Sequence, residues 1–114
     1  GDKTLEVNGI KVLVKQVEEL PAKDIRSLLD QKKQGQRNSL IIIFSTEKEK
    51  VVIATGVTPD LTDRISAVDI AKMAAQACGG KGGGGRDDFA QAGGSEPAKI
   101  PQAIQDIKSY LGGK

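Results

Sequence analysis

The chain contains no histidine. That removes the side chain that ordinarily titrates near neutral pH, and with it most general acid–base, nucleophile-activating and zinc chemistry. A single cysteine, Cys78, excludes an internal disulfide and any cysteine-built metal site. Aromatic residues make up only 3% of the chain, so the core has to be assembled from Ile, Val, Leu and Ala. No run reaches the roughly eighteen apolar residues of a membrane helix, and the first residues do not form a signal peptide. These absences predict a soluble chain in a reducing, cytoplasmic setting, without catalysis, metal or cofactor.

What is present suits one domain. A length of 114 residues with 38% apolar content supports a single modest core. The formal charge of +2 is only mildly basic, so any affinity for a polyanion has to come from local arrangement.

Thr4 to Val7 and Ile10 to Val17 read as two strands joined by Asn8-Gly9, a strong hairpin signal. Leu20-Pro21 opens a helix with proline at its start, Ile25, Leu28 and Leu29 form its apolar stripe, and Gly35 ends it. Leu40 to Phe44 is a continuous apolar run, as in a strand covered on both faces. Val51 to Ala54 reads as its antiparallel neighbour, across a charged, solvated turn from Thr46 to Lys50. Asp60, Thr62 or Ser66 caps the next helix, which runs to about Cys78, itself a small buried hydrophobe. Ile100, Ile104, Ile107 and Leu111 recur at helical spacing and dock a last helix beginning near Pro97 or Pro101. The expected fold is a small α/β sandwich: a mostly antiparallel sheet of four or five strands, three helices, and a glycine-rich loop between the last two helices.

That glycine segment is the most unusual part of the chain. Eight of the fourteen glycines fall between Gly79 and Gly94. Bare backbone offers consecutive N–H groups that anionic oxygens can approach closely, and Lys81 and Arg86 flank Gly82, Gly83, Gly84 and Gly85. The segment reads as a clamp for phosphate, with a flexible linker as the main rival. A Walker-type loop fails because Lys81 is followed by Gly82 rather than Ser or Thr. A dinucleotide fingerprint fails because the run follows a helix, not a strand.

Within it, Lys81 and Arg86 are the candidate phosphate ligands, a mobile point charge and a planar fork, against a reading as solvated cations. Asp87 or Asp88 pairs with Arg86 or bonds loop N–H groups. Phe89 either stacks on a base or, as preferred, anchors the loop to the core. Gln91 contacts a ribose hydroxyl or caps a turn. Gly93-Gly94-Ser95 precedes the last helix, whose free N–H groups would add to an anion site. Should this loop be only a connector, the hairpin face carrying Lys11 and Lys15 is the next candidate surface.

Taken together, Asp60-Leu61-Thr62-Asp63-Arg64, Met73-Ala74-Ala75-Gln76, Gly79-Gly80-Lys81-Gly82-Gly83-Gly84 and Phe89-Ala90-Gln91-Ala92-Gly93-Gly94 resemble the C-terminal domain of alanyl-tRNA synthetase. That domain is similar to the nucleic-acid-binding module ending DHH-family phosphodiesterases. The close match covers Leu61 to Leu111, and the upstream elements fit in order and length. Two departures stand out: four glycines precede Arg86 where three are common, and Asp87 stands where proline is frequent. The phosphodiesterase relatives often carry a histidine after the glycines; its absence favours the synthetase branch.

The resemblance implies a single domain, residues 1–114, excised from a larger synthetase. It implies a module that grips the outer corner of tRNA and helps coordinate aminoacylation with editing. Its partners would be tRNA, above all alanine tRNA, and the catalytic and editing domains of the synthetase. No membrane is involved, and the isolated domain is expected to be monomeric. Gly80 to Arg86, Gln91, Gly93 and Gly94 would face the RNA, with Asp88 and Phe89 bracing the loop. Alanine at Gly83 and Gly84 is then expected to weaken binding while sparing the fold. The competing readings are the RNA-binding domain of a phosphodiesterase, or a dimerisation or scaffold module indifferent to RNA.

Overall fold

A computed structural model describes residues 2–114. Strands β1 (Asp2–Val7) and β2 (Ile10–Glu18) form the expected hairpin, with Val7 opposite Ile10. Asn8 and Gly9 both take positive φ, 53° and 81°, as the tight turn matching strand twist requires. Helix α1 (Ala22–Lys33) follows Pro21 and crosses to β3 (Ser39–Glu47), which runs parallel to β2. Strand β4 (Lys50–Val57) returns antiparallel to β3, so the charged turn shrinks to Lys48-Glu49. Helix α2 (Ala67–Ala77), strands β5 (Gly84–Gly85) and β6 (Phe89–Gly94), and helix α3 (Ile100–Leu111) complete the chain.

Among the described residues six strands form one sheet in the order β1-β2-β3-β4-β6-β5, antiparallel except for β2 beside β3. Alternation along the strands splits the core in two. On one face Ile42, Phe44, Ile53 and Val12 meet Ile70, Ala74, Ala103 and Ile107 of α2 and α3. On the other, Ile41, Ile43 and Ala54 meet Ile25 and Leu29 of α1. The apolar run in β3 is thus explained: its residues are covered on both sides. Thr55 is buried between the layers, and its hydroxyl donates to the carbonyl of Ala67 at 2.7 Å, tying β4 to the start of α2.

Two local alternatives are resolved. Ser66 occupies the N-cap position of α2 without a side-chain bond. Asp60 instead accepts the Asn38 N–H at 2.9 Å, and the Thr62 hydroxyl donates to the Pro59 carbonyl at 2.9 Å. Both proline positions near the last helix are used: Pro97 opens a short 3-10 turn and Pro101 sits in the first turn of α3.

The larger revision concerns the glycine segment, half of which, Gly84–Gly85 and Phe89–Gly94, is strand rather than loop. That raises the strand count to six. Helix α2 ends with Gly79 at φ 79°, its N–H bonding Gln76 at 3.3 Å and the Gly80 N–H bonding Ala75 at 2.7 Å, a Schellman stop. The chain then lies directly against β6. A Cβ on Gly80 would overlap the carbonyl oxygen of Gly93, and one on Gly83 the carbonyl oxygen of Gln91. Backbone, not a pliable side chain, sets both limits, whereas a Cβ on Gly84 meets nothing. The two glycines expected to tolerate alanine therefore part company. Gly83→Ala should destabilise the domain by about 1–3 kcal/mol through overpacking. Gly84→Ala should stay within about 0.5 kcal/mol of the parent. Urea denaturation midpoints of the two variants check this; equal midpoints would contradict the close approach.

Candidate nucleic-acid interface

The turn Arg86–Asp88 between β5 and β6 is held from three sides. The carbonyl of Asp87 accepts the N–H of Ala67, the first residue of α2, at 2.8 Å. The carbonyl of Asp88 accepts the Val57 N–H at 3.0 Å and the Lys33 ammonium at 3.1 Å. Its carboxylate accepts from Arg86 Nε at 3.1 Å, the pairing expected of one of the two aspartates. That hydrogen bond, with the positive charges of Lys33 and Arg86, holds the Asp88 carboxyl below the usual carboxylate range. Phe89 is buried with Ile25 and Leu29 of α1.

Outside this frame the two cations are open to solvent. The Arg86 side chain is 65% exposed despite its carboxylate partner. Lys81 is exposed and has no ion-pair partner among the described residues. Between them Gly84 and Gly85 form the outermost strand of the sheet and are exposed. An edge strand presents unpaired N–H and C=O groups, and here no side chain shields them. The result is a strip of open backbone with a cation at each end, a geometry suited to phosphate oxygens.

The candidate residues divide between that strip and the interior of the sheet. Lys81 to Arg86 lie along the edge. Gly80 lies against Gly93, while Gly93 and Gly94 are paired with Val52 and Val51 of β4. Gln91 points to α1, its amide donating to the Ala22 carbonyl at 3.2 Å. Just ahead of the last helix, the N–H groups of Ser95 and Glu96 both bond the Cys78 carbonyl at 2.9 Å. Cys78 itself is fully buried, and burial pushes its thiol up. The alternative surface on the first hairpin is already occupied internally. Lys15 and Lys32 both pair with Asp2, at 2.6 and 3.1 Å, and Lys11 donates to Gln36.

Three basic residues beside the strip escaped the sequence reading. Lys72 of α2 brings its side chain against Gly82. Lys33 reaches the Asp88 carbonyl, and Arg26 lies over the Phe89 ring at 3.8 Å. Lys33 and Asp88 are 55 positions apart, and no periodicity in one segment announces such a contact. Among the described residues no group of three or more His, Cys, Asp or Glu side chains is placed to hold a metal ion, and no helix is long and apolar enough to cross a membrane.

Comparison with known proteins places this geometry. The chain is 43% identical over 108 residues to an alanine–tRNA ligase of Cereibacter sphaeroides and 46% identical over 106 residues to that of Chromohalobacter salexigens. It covers 12% of the length of each, while 95% and 93% of the chain itself is matched. The crystal structure of the C-Ala domain from Aquifex aeolicus alanyl-tRNA synthetase superposes with a TM-score of 0.91 at 29% identity, covering 96% of this chain and 98% of that one. A pGpG-specific phosphodiesterase from Vibrio shares the fold more distantly, with a TM-score of 0.50 and 16% identity over 34% of its length. The similarity to the C-terminal region of alanyl-tRNA synthetase thus extends over sequence and structure alike. The DHHA1 domain model matches residues 9–113, and the chain belongs to that family.

Proposed function

We propose that this domain binds tRNA without catalysing a reaction, as a module of an alanyl-tRNA synthetase. The observation that carries the reading is the near-complete superposition on the C-Ala domain, joined to the open backbone strip between Lys81 and Arg86. The strip holds the sugar–phosphate backbone at the outer corner of the tRNA, with Lys81 and Arg86 as the principal cations and Lys72 beside them. Asp88 acts one step back, orienting Arg86 and pinning the turn. Through this grip the module presents one tRNA to both aminoacylation and editing centres, which lie in the remainder of the synthetase. Recognition of backbone and shape carries little sequence information, so the identity of the tRNA is read elsewhere.

Titration with tRNA at several salt concentrations tests the reading. Lys81→Ala and Arg86→Ala should each weaken binding and flatten the plot of log K against log salt by about 0.7–0.9 for each phosphate left without its cation. Asp88→Ala should lower affinity with little change in slope, because it removes a support rather than a phosphate ligand. Folded Lys81 and Arg86 variants that bind like the parent would overturn the proposed surface. A parent chain that self-associates and ignores tRNA in sedimentation would favour a scaffold instead.

The same complex should show a flat pH profile between about pH 5.5 and 8, since no histidine exists to titrate there. The sign for Asp88 is clear from its lowered value. Its support of Arg86 is complete above the ordinary aspartate value of about 3.9 and fades only as pH falls through the lower folded value. Affinities measured at constant salt across this range check the expectation; a step near pH 6.5 would contradict it.

A further inference from the structure

We propose that Arg26 is a stacking platform for an unpaired nucleobase of the bound RNA, an inference that rests on the tRNA-binding reading above. Arg26 lies in the second turn of α1, its guanidinium carbon 3.8 Å from the centroid of the Phe89 ring. The ring holds the guanidinium from beneath, and Asp30 lies 3.8 Å from its Nε, one helical turn on. Yet 46% of the side-chain surface remains open. A guanidinium is planar, delocalised and weakly hydrated. Seated over the ring and partly exposed, it offers a base a π-stacking surface, as arginine planes do for the splayed bases of single-stranded RNA.

Its position joins it to the phosphate strip. Phe89 directly follows Asp88, whose carboxylate pairs with Arg86. Seven residues beyond Arg26, Lys33 reaches the Asp88 carbonyl from the same helix. Base stacking on α1 and phosphate contacts at the turn therefore belong to one continuous surface. The buried ring supplies rigidity and the arginine supplies the exposed face. A role confined to holding α1 on the turn would leave RNA binding indifferent to the shape of the cation, and that difference is measurable.

Arg26→Lys keeps the charge over the ring and removes the plane; Arg26→Ala removes both. Each variant of the whole chain is titrated with tRNA, with an RNA stem bearing a large unpaired loop, and with a blunt RNA duplex, at several salt concentrations. Melting curves accompany the titrations, and Arg26→Lys decides the matter if Arg26→Ala melts early. Stacking predicts a loss of about tenfold on tRNA and on the looped RNA for Arg26→Lys, with little loss on the duplex and an unchanged salt slope. Undiminished affinity of Arg26→Lys for all three RNAs would overturn the platform. Equal losses on all three with a shallower slope would overturn it too, reducing Arg26 to a phosphate ligand. Both results leave the tRNA-binding reading standing. A parent chain with no affinity for any of the three RNAs would instead refute that reading.

Discussion

The distance between two backbones, one running from Gly80 to Gly83 and the other along β6, sets the shape of everything at the sheet edge. Atoms as large as a methyl group would collide with carbonyl oxygens of Gly93 and Gln91, so the chain leaving α2 can lie against β6 only where side chains are missing. That close approach lets β6 insert beside β4 and leaves β5 outermost. It also delivers the Arg86–Asp88 turn to the point where β4 ends and α2 begins, and there Val57 and Ala67 hold it. The density of glycine thus has two causes acting on different residues: tight packing at Gly80 and Gly83, and open backbone at Gly84.

The cations gain their meaning from this frame. Lys11 and Lys15 of the first hairpin, with Lys32 of α1 beside them, are matched by Gln36 and Asp2. At the glycine edge Lys81 has no such ion-pair partner among the described residues, and Arg86 keeps most of its surface in solvent while Asp88 steadies it. A chain with a net charge of only +2 can therefore present a locally cationic surface. In the proposed tRNA-binding role, distribution rather than total charge would supply the affinity.

Much of the fold was legible because its signals are local. Asn8-Gly9, Gly35, the apolar run of β3 and the helical spacing of Ile100 to Leu111 each fix conformation within a few residues. The glycine segment misled for a definite reason. Phe89–Gly94 contains no β-branched residue, and strand propensity expresses fit to a pleated, packed surface. Here pairing with β4 confers the strand on a sequence that does not ask for it. Of the candidate site, the Arg86–Asp88 pair and the positions of Lys81 and Phe89 beside it were readable from adjacency. Arg26, Lys33 and Lys72 were not, because they arrive from helices through tertiary packing. The same packing turned Gln91 toward α1 and enclosed Gly93 and Gly94 in the sheet.

Both ends of the sheet also bear on how this molecule keeps company with its own kind. An uncovered strand edge is a template on which another chain can add a strand, the first step toward aggregation. At one end β1 counters this with Asp2, Lys3 and Glu6, which carry charge along the edge. The other end carries no charge on its strand, but β5 is only two residues long. Two residues are enough to offer a few polar groups to a ligand and too few to register an incoming strand. The brevity of β5 thus leaves an incoming strand little to pair with at this edge.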